Sequence, residues 1–237
     1  MILIDYSQIA LSNIIVQKLN DESMIRHMIL NSIRMYNKRY RDEYGQMVIC
    51  ADGMNTWRKE YFPLYKANRK KKRDGSSQDW TEIFRILNLV REEIRENLPY
   101  KVIHLEGCEA DDIIGTLAMQ TQEFGQHEPV MIISSDKDFI QLHKFNNVKQ
   151  FSPIQKKMVT DTNPRTYCFE HICKGDKSDG IPNILSADNS IVDEIRQSPM
   201  TKAKMQYWAD NIDNLKDVMS HEEFRNYQRN KTLIDLS

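Results

Sequence analysis

The feature that most constrains this 237-residue chain is a set of short apolar runs that each lead into an aspartate. MILID at 1–5, QMVICAD at 46–52 and PVMIISSD at 129–136 read as buried strands, and KVIHL at 101–105 reads as a fourth. Helix-period stretches separate them. From Ser23 to about Tyr40, Met24, His27, Met28, Leu30, Ile33 and Met35 recur at helical spacing. Trp80 to Asn97 repeats the pattern with Ile83, Leu87, Val90 and Ile94, and Glu109 to about Phe124 with Ile113, Ile114, Leu117 and Ala118. Strands that alternate with helices imply right-handed crossovers, hence an α/β fold with a mostly parallel central sheet flanked by helices on both faces.

The pattern changes after Lys156 to helices separated by polar turns, running through to Ile234. Length alone predicts one or two domains. The expected division is an α/β core over 1–160, with a basic insertion at 56–79, and a helical lobe over 161–237 packed on it. With 40% hydrophobic and 28% charged residues, the composition is that of a globular chain rather than a disordered one. No apolar run approaches the roughly 18 residues of a membrane span. The start has no basic segment and only four apolar residues before Asp5, so it does not read as a secretory signal, and a cytoplasmic monomer is expected. Cys50, Cys108, Cys168 and Cys173 form no C-x-x-C pair and read as buried free thiols.

In an open parallel sheet, ligands bind beyond the carboxyl ends of the strands. Three strands deliver Asp5, Asp52 and Asp136 there, and the fourth leads through Glu106-Gly107-Cys108 into Glu109-Ala110-Asp111-Asp112 at the start of a helix. Asp138 follows Asp136 in Ser134-Ser135-Asp136-Lys137-Asp138. Acids in a first helical turn cap free N–H groups and complement the macrodipole, which alone accounts for any one of them. Seven on one rim are another matter. Two like charges about 4 Å apart repel by roughly 4 kcal/mol at an effective dielectric of 20, so the cluster needs cations. All-oxygen ligands point to Mg²⁺ or Mn²⁺. Histidine shows no metal-ligand spacing, and there is no G-x-S-x-G elbow, P-loop or G-x-G-x-x-G. A further pair, Asp176 and Asp179, lies in Lys174-Gly175-Asp176-Lys177-Ser178-Asp179-Gly180, which on spacing alone reads as an ordinary turn before Pro182.

Net charge is −1, yet residues 57–73 carry eight Lys or Arg against one Glu, a local +7 that leaves the rest of the chain at −8. Arg58, Lys66, Arg69, Lys70, Lys71, Lys72 and Arg73 are interleaved with Trp57, Tyr61, Phe62 and Tyr65. Phosphate neutralisation combined with stacking surfaces suits single-stranded nucleic acid. An excursion of this length between a strand and a helix is usually functional or disordered.

Ile4-Asp5, Ala51-Asp52, Tyr65-Lys66-Ala67-Asn68-Arg69, Glu109-Ala110-Asp111-Asp112, Ser134-Ser135-Asp136-Lys137-Asp138 and Gly175-Asp176-Lys177-Ser178-Asp179 together resemble the flap endonuclease / 5′→3′ exonuclease family, in order and over nearly the whole chain. The resemblance implies that Asp5, Asp52, Glu109, Asp111, Asp136 and Asp138 hold two Mg²⁺ ions, with Mn²⁺ as a substitute, and that Asp176 and Asp179 hold or position the second. It implies that the basic strip is an arch or clamp for a 5′ single-stranded end, with Lys66 and Arg69 at the scissile phosphate, Tyr65 stacked on a base, and Arg58 and Lys70 to Arg73 on the backbone. The implied activity is a 5′→3′ exonuclease and flap endonuclease with ribonuclease H-type action. Its substrates would be DNA and RNA-DNA hybrids, its role RNA primer removal in phage replication, and its further partners replication proteins. The family often carries a Gly-rich duplex-binding turn, frequently with a potassium ion, and the matching stretch here, Asn183 to Ser190, departs from that pattern in having no glycine.

Rival readings are a PIN-type ribonuclease, which needs neither strip nor lobe, and a non-catalytic nucleic-acid-binding module whose acids merely cap helices. A phosphatase with an aspartyl nucleophile would want Asp-x-Asp at the first strand, where this chain has Asp5-Tyr6-Ser7.

Overall fold

The computed structural model describes residues 1–17, 21–76 and 78–236. They form two compact units, one of residues 1–56, 78–162 and 236, the other of 57–76 and 163–235. The basic strip, an excursion of the first unit in chain order, therefore packs with the C-terminal helices.

In the first unit the strands are β1 (Ile2–Asp5), β2 (Met47–Ala51), β3 (Lys101–His104), β4 (Val130–Ile133), β5 (Val148–Ser152) and β6 (Lys157–Val159). They form one sheet in the order β3-β2-β1-β4-β5-β6, parallel except for β6, which runs antiparallel to β5. The chain builds from β1 outward to β2 and β3, then resumes on the other side with β4. The order thus reverses between β1 and β4, and a crevice at such a switch point is where open α/β sheets bind ligands.

Helices α1 (Tyr6–Gln17), α2 (Glu22–Tyr44), α3 (Trp57–Tyr61), α4 (Ala67–Asp74), α5 (Trp80–Asn97) and α6 (Ala110–Gln120) follow in chain order, α3 and α4 belonging to the second unit. Both faces of the sheet are covered, which explains why β1, β2 and β4 are apolar without alternation. Ile2 and Ile4 face a core shared with α1, α2 and α5, and Leu3 faces one shared with α6 and the 3-10 segment Asp138–Lys144. On α2, Ile25, Ile29, Ile33, Tyr36, Tyr40 and Tyr44 form the buried stripe. Asp21 caps its start, accepting from Met24 N–H at 2.8 Å, and Gly45 ends it at φ 77°.

The second unit continues with α7 (Pro164–Lys174), α8 (Lys202–Asp210), α9 (Leu215–Val218) and α10 (His221–Ile234). Asn163, Thr201 and Ser220 cap α7, α8 and α10, the last through a reciprocal pair with Glu223. The stretch from 175 to 200 consists of turns, held by α10. Asn226 donates to the carbonyl of Ile184 and Asn230 to those of Ile172 and Pro182, at 2.9 to 3.0 Å. Cys50 and Cys173 are buried free thiols, as expected, whereas Cys108 and Cys168 are only half-buried. Among the described residues, no helix is long and apolar enough to cross a membrane.

Candidate active site

The first unit gathers Asp5, Asp52, Glu109, Asp111, Asp136 and Asp138 at the carboxyl edge of its sheet. Asp5 ends β1 and at once caps α1, its Oδ1 accepting from Gln8 N–H at 3.1 Å and its Oδ2 from the Ser134 hydroxyl at 3.1 Å. Burial, reinforced by the charges of Asp52 and Asp136, pushes its carboxyl up to about 7, against those two hydrogen bonds. Asp5 is thus a carboxylate whose neighbours repel its charge.

Asp52 follows β2, and its Oδ1 accepts from Ala110 N–H at 2.8 Å, which ties the end of β2 to the start of α6. The loops after β2 and β3 are stitched together. Gly53 N–H donates to the Cys108 carbonyl at 2.7 Å, Gly107 N–H to that of Met54 at 2.9 Å, and the Asn55 amide to Glu106 at 2.9 Å. Glu109 is the buried N-cap residue of α6, and Asp112 accepts from its N–H at 2.9 Å, a helix-capping role. On the opposite side, Asp136 Oδ1 accepts from Asp138 N–H at 3.0 Å. Carboxylate oxygens of Asp111, Asp136 and Asp138 lie within 4.8 Å of one another. This donor set fits a hard divalent cation. It is all oxygen and it converges, and the neighbouring Asp5 feels the negative charges of Asp52 and Asp136.

Two side chains behind these acids were assigned no role from the sequence. Ser134 bridges Asp5 and the N–H of Asp136, and Gln150 donates to the backbone carbonyls of Ser134 and Asp136.

In the second unit, Asp176 and Asp179 sit with the strip. Asp179 accepts from the Tyr65 hydroxyl at 2.9 Å, pairs with Lys66 at 3.5 Å and binds Arg69. Lys66 is held at φ 56°, its N–H donating to the Asp179 carbonyl at 2.7 Å. Gly180, at φ 75°, lies where a Cβ would come 2.9 Å from the Leu64 carbonyl, so Tyr65-Lys66-Ala67-Asn68-Arg69 is fitted closely against this turn. Asp176 accepts from Ser178 N–H and Oγ at 2.6 and 2.7 Å, and His171 lies 3.4 Å from its Oδ2. Burial alone would raise its carboxyl, but the bonds from His171 and Ser178 prevail and hold it well below the usual carboxylate range. His171, which lacks any ligand-like spacing in the sequence, is therefore a partner of Asp176.

Two expectations for the strip are corrected. Tyr65 is 2% exposed, packed with Phe62, Ile172, Ile181, Leu233 and Ile234, so its ring is not open to a base. Arg58 is also 2% exposed, with Nε donating to the Leu233 carbonyl at 2.9 Å, so it anchors the fold rather than facing phosphate. An aromatic or a single cation in a basic run can serve the core as readily as the surface, and here α10 supplies the partners. Arg69 and Arg73 are exposed, and Lys66 is half-buried. The side chains of Lys70, Lys71 and Lys72 lie outside the described residues.

Residues 2–170 match the family described as 5′-3′ exonuclease, N-terminal resolvase-like domain. The chain is 36% identical to the ribonuclease H of Enterobacteria phage T4, covering 98% of this chain and 80% of that protein. It is 29% identical to a 5′-3′ exonuclease of Buchnera aphidicola over 62% of this chain and 50% of that relative, and so spans half of the relative's length. In structure it resembles a bacteriophage T5 flap endonuclease solved as a pseudo-enzyme-product complex with DNA and metal ions. That TM-score is 0.73 with 18% identity, over 99% of this chain and 88% of the other, a likeness of fold. By its sequence, the chain belongs to the 5′-3′ exonuclease family.

Proposed function

We propose that the protein is a Mg²⁺-dependent 5′ nuclease that hydrolyses phosphodiesters at the 5′ side of RNA or DNA on a duplex, including flaps, with primer removal in phage replication as its role. The observation that carries this is the convergence of the Asp111, Asp136 and Asp138 carboxylates at the carboxyl edge of the sheet, with Asp5 feeling the charges of Asp52 and Asp136, in a family of 5′-3′ exonucleases. Asp5, Asp52, Glu109, Asp111, Asp136 and Asp138 would hold two divalent ions, Mg²⁺ with Mn²⁺ as a substitute. Such ions, when bound, would activate water and stabilise the leaving oxygen.

The chain's own residues supply the rest. The carboxylates act as ligands and as acceptors that orient the attacking water. Lys66 and Arg69 offset charge that develops on the phosphate. Asp179 fixes both cations through its carboxylate, and Asp176 fixes the turn that carries Asp179. Residues 56–79 gather the 5′ single strand, with Lys70, Lys71, Lys72 and Arg73 on its backbone, and the helices from 161 onward hold the duplex.

The test follows a labelled strand in a 5′-flapped DNA duplex and in an RNA primer annealed to DNA, with Mg²⁺ and with EDTA. Metal-dependent products released from the 5′ side support the proposal, and their lengths separate stepwise from flap cutting. Folded protein that binds both substrates and cuts neither makes the chain a non-catalytic binding module. Cleavage that survives deletion of 56–79 would make it a PIN-type ribonuclease.

A further inference from the structure

The backbone that carries Asp136 and Asp138 is braced by two buried polar side chains that take no part in the proposed reaction. Ser134 is fully buried, and its hydroxyl donates to Asp5 Oδ2 while the same oxygen accepts from Asp136 N–H, both at 3.1 Å. A single side chain thus sets the separation across the switch point. Gln150 comes from β5, its Cα in register with Ile132 of β4, and it too is fully buried. Its Nε2 donates to the carbonyls of Ser134 at 2.9 Å and Asp136 at 2.6 Å. Both contacts are carbonyl oxygens, so only the NH₂ end of the amide satisfies them, and the orientation of the group is fixed. Among the described residues its other end, Oε1, is buried with no hydrogen-bond partner, and so is Nε2 of His143.

Packing does not explain a glutamine here. A buried amide is unfavourable unless it is hydrogen-bonded, and an apolar residue would fill the same volume in this strand without that burden. What the amide gives is a fixed path for the chain from Ser134 to Asp136. We infer that Gln150, together with Ser134, is a positioning residue for the metal site, holding Asp136 and Asp138 where their carboxylates converge with that of Asp111. This rests on the proposal that those carboxylates hold a divalent ion. Partners behind a metal ligand typically change affinity ten- to a hundredfold when removed.

The test titrates the full chain with Mn²⁺ in the absence of nucleic acid, free Mn²⁺ being read by electron paramagnetic resonance. Gln150→Met keeps the length of the side chain and removes both donors. It should bind Mn²⁺ at least about tenfold more weakly than the unsubstituted chain. The Mg²⁺ concentration for half-maximal flap cleavage should rise by the same factor, with KM for the flap unchanged at saturating metal. If Gln150→Met does not fold by circular dichroism, Ser134→Ala removes the hydroxyl of the same brace and carries the same expectation. Asp136→Asn is the reference. Should it lose Mn²⁺ while folded Gln150→Met binds as before, with or without a lower melting temperature, Gln150 only fills space and the inference fails. If Asp136→Asn also binds Mn²⁺ unchanged, the carboxylate proposal fails, and the inference with it.

Discussion

Asp5 shows how a single residue reports on its site. Its carboxyl stays protonated to about pH 7 in the folded, metal-free protein, chiefly through burial, whereas in the unfolded chain it ionises near pH 4. Between those values the folded state binds the extra proton, so folding stability falls as pH rises through the window. In EDTA, urea unfolding should show Asp5→Asn gaining on the unsubstituted chain by on the order of 2–4 kcal/mol between pH 4 and pH 8. A gap that does not change with pH would mean that the folded state does not raise the proton affinity of Asp5. Asp136→Asn or Asp138→Asn should abolish cleavage while leaving DNA binding in EDTA largely intact, as a gel-shift assay would read. Retained turnover would remove them from the site. The acids were legible in the sequence because an aspartate at the end of a run buried on both faces can only mark an edge. Ser134, Gln150 and His171 were not, since a hydrogen bond made across the fold leaves no periodic trace along the chain.

At the scale of elements, the strands that deliver the acids were readable and the segments without a clean apolar pattern were not. Helix α1 starts directly at Tyr6, with Asp5 serving as both strand end and cap, so no turn signal separates it from β1. Strand β5 hides because Gln150 interrupts its apolar face, and β6 because it is a short, mostly exposed edge. The loops after β2 and β3 bear on the candidate site, since their stitching places Asp52 and Glu109. A Cβ at Gly53 would lie 1.9 Å from the Leu105 carbonyl, a distance that only a shift of the backbone can relieve. Gly53→Ala should therefore destabilise the protein by about 1–3 kcal/mol, as overpacking does. It should also weaken Mn²⁺ binding, because the two acids move with their loops. A variant that melts lower but binds Mn²⁺ unchanged would show that the stitch supports the fold without setting the ligands.

For the molecule as a whole, the division of charge between the strip and the rest of the chain is the feature that sequence states and structure refines. Counting the eight cations of 57–73 as one nucleic-acid surface is too generous. Arg58 is enclosed by its own unit, whereas Arg69 and Arg73 are exposed. Salt separates these two kinds of cation. Each phosphate neutralised on a single strand contributes about 0.7 to the slope of log affinity against log salt. Replacing Lys70, Lys71, Lys72 and Arg73 together with alanine should reduce that slope by about 3 for a 5′-flapped duplex in EDTA, measured by fluorescence anisotropy. Arg58→Ala should leave the slope unchanged and instead lower stability by about 1–3 kcal/mol, because the Leu233 carbonyl loses its donor. If the fourfold variant keeps the original slope, the polyanion is held elsewhere and the clamp role of the strip is lost. If Arg58→Ala flattens the slope in a protein of unchanged stability, then that arginine leaves its enclosure to meet the strand, and the strip must reorganise around its substrate.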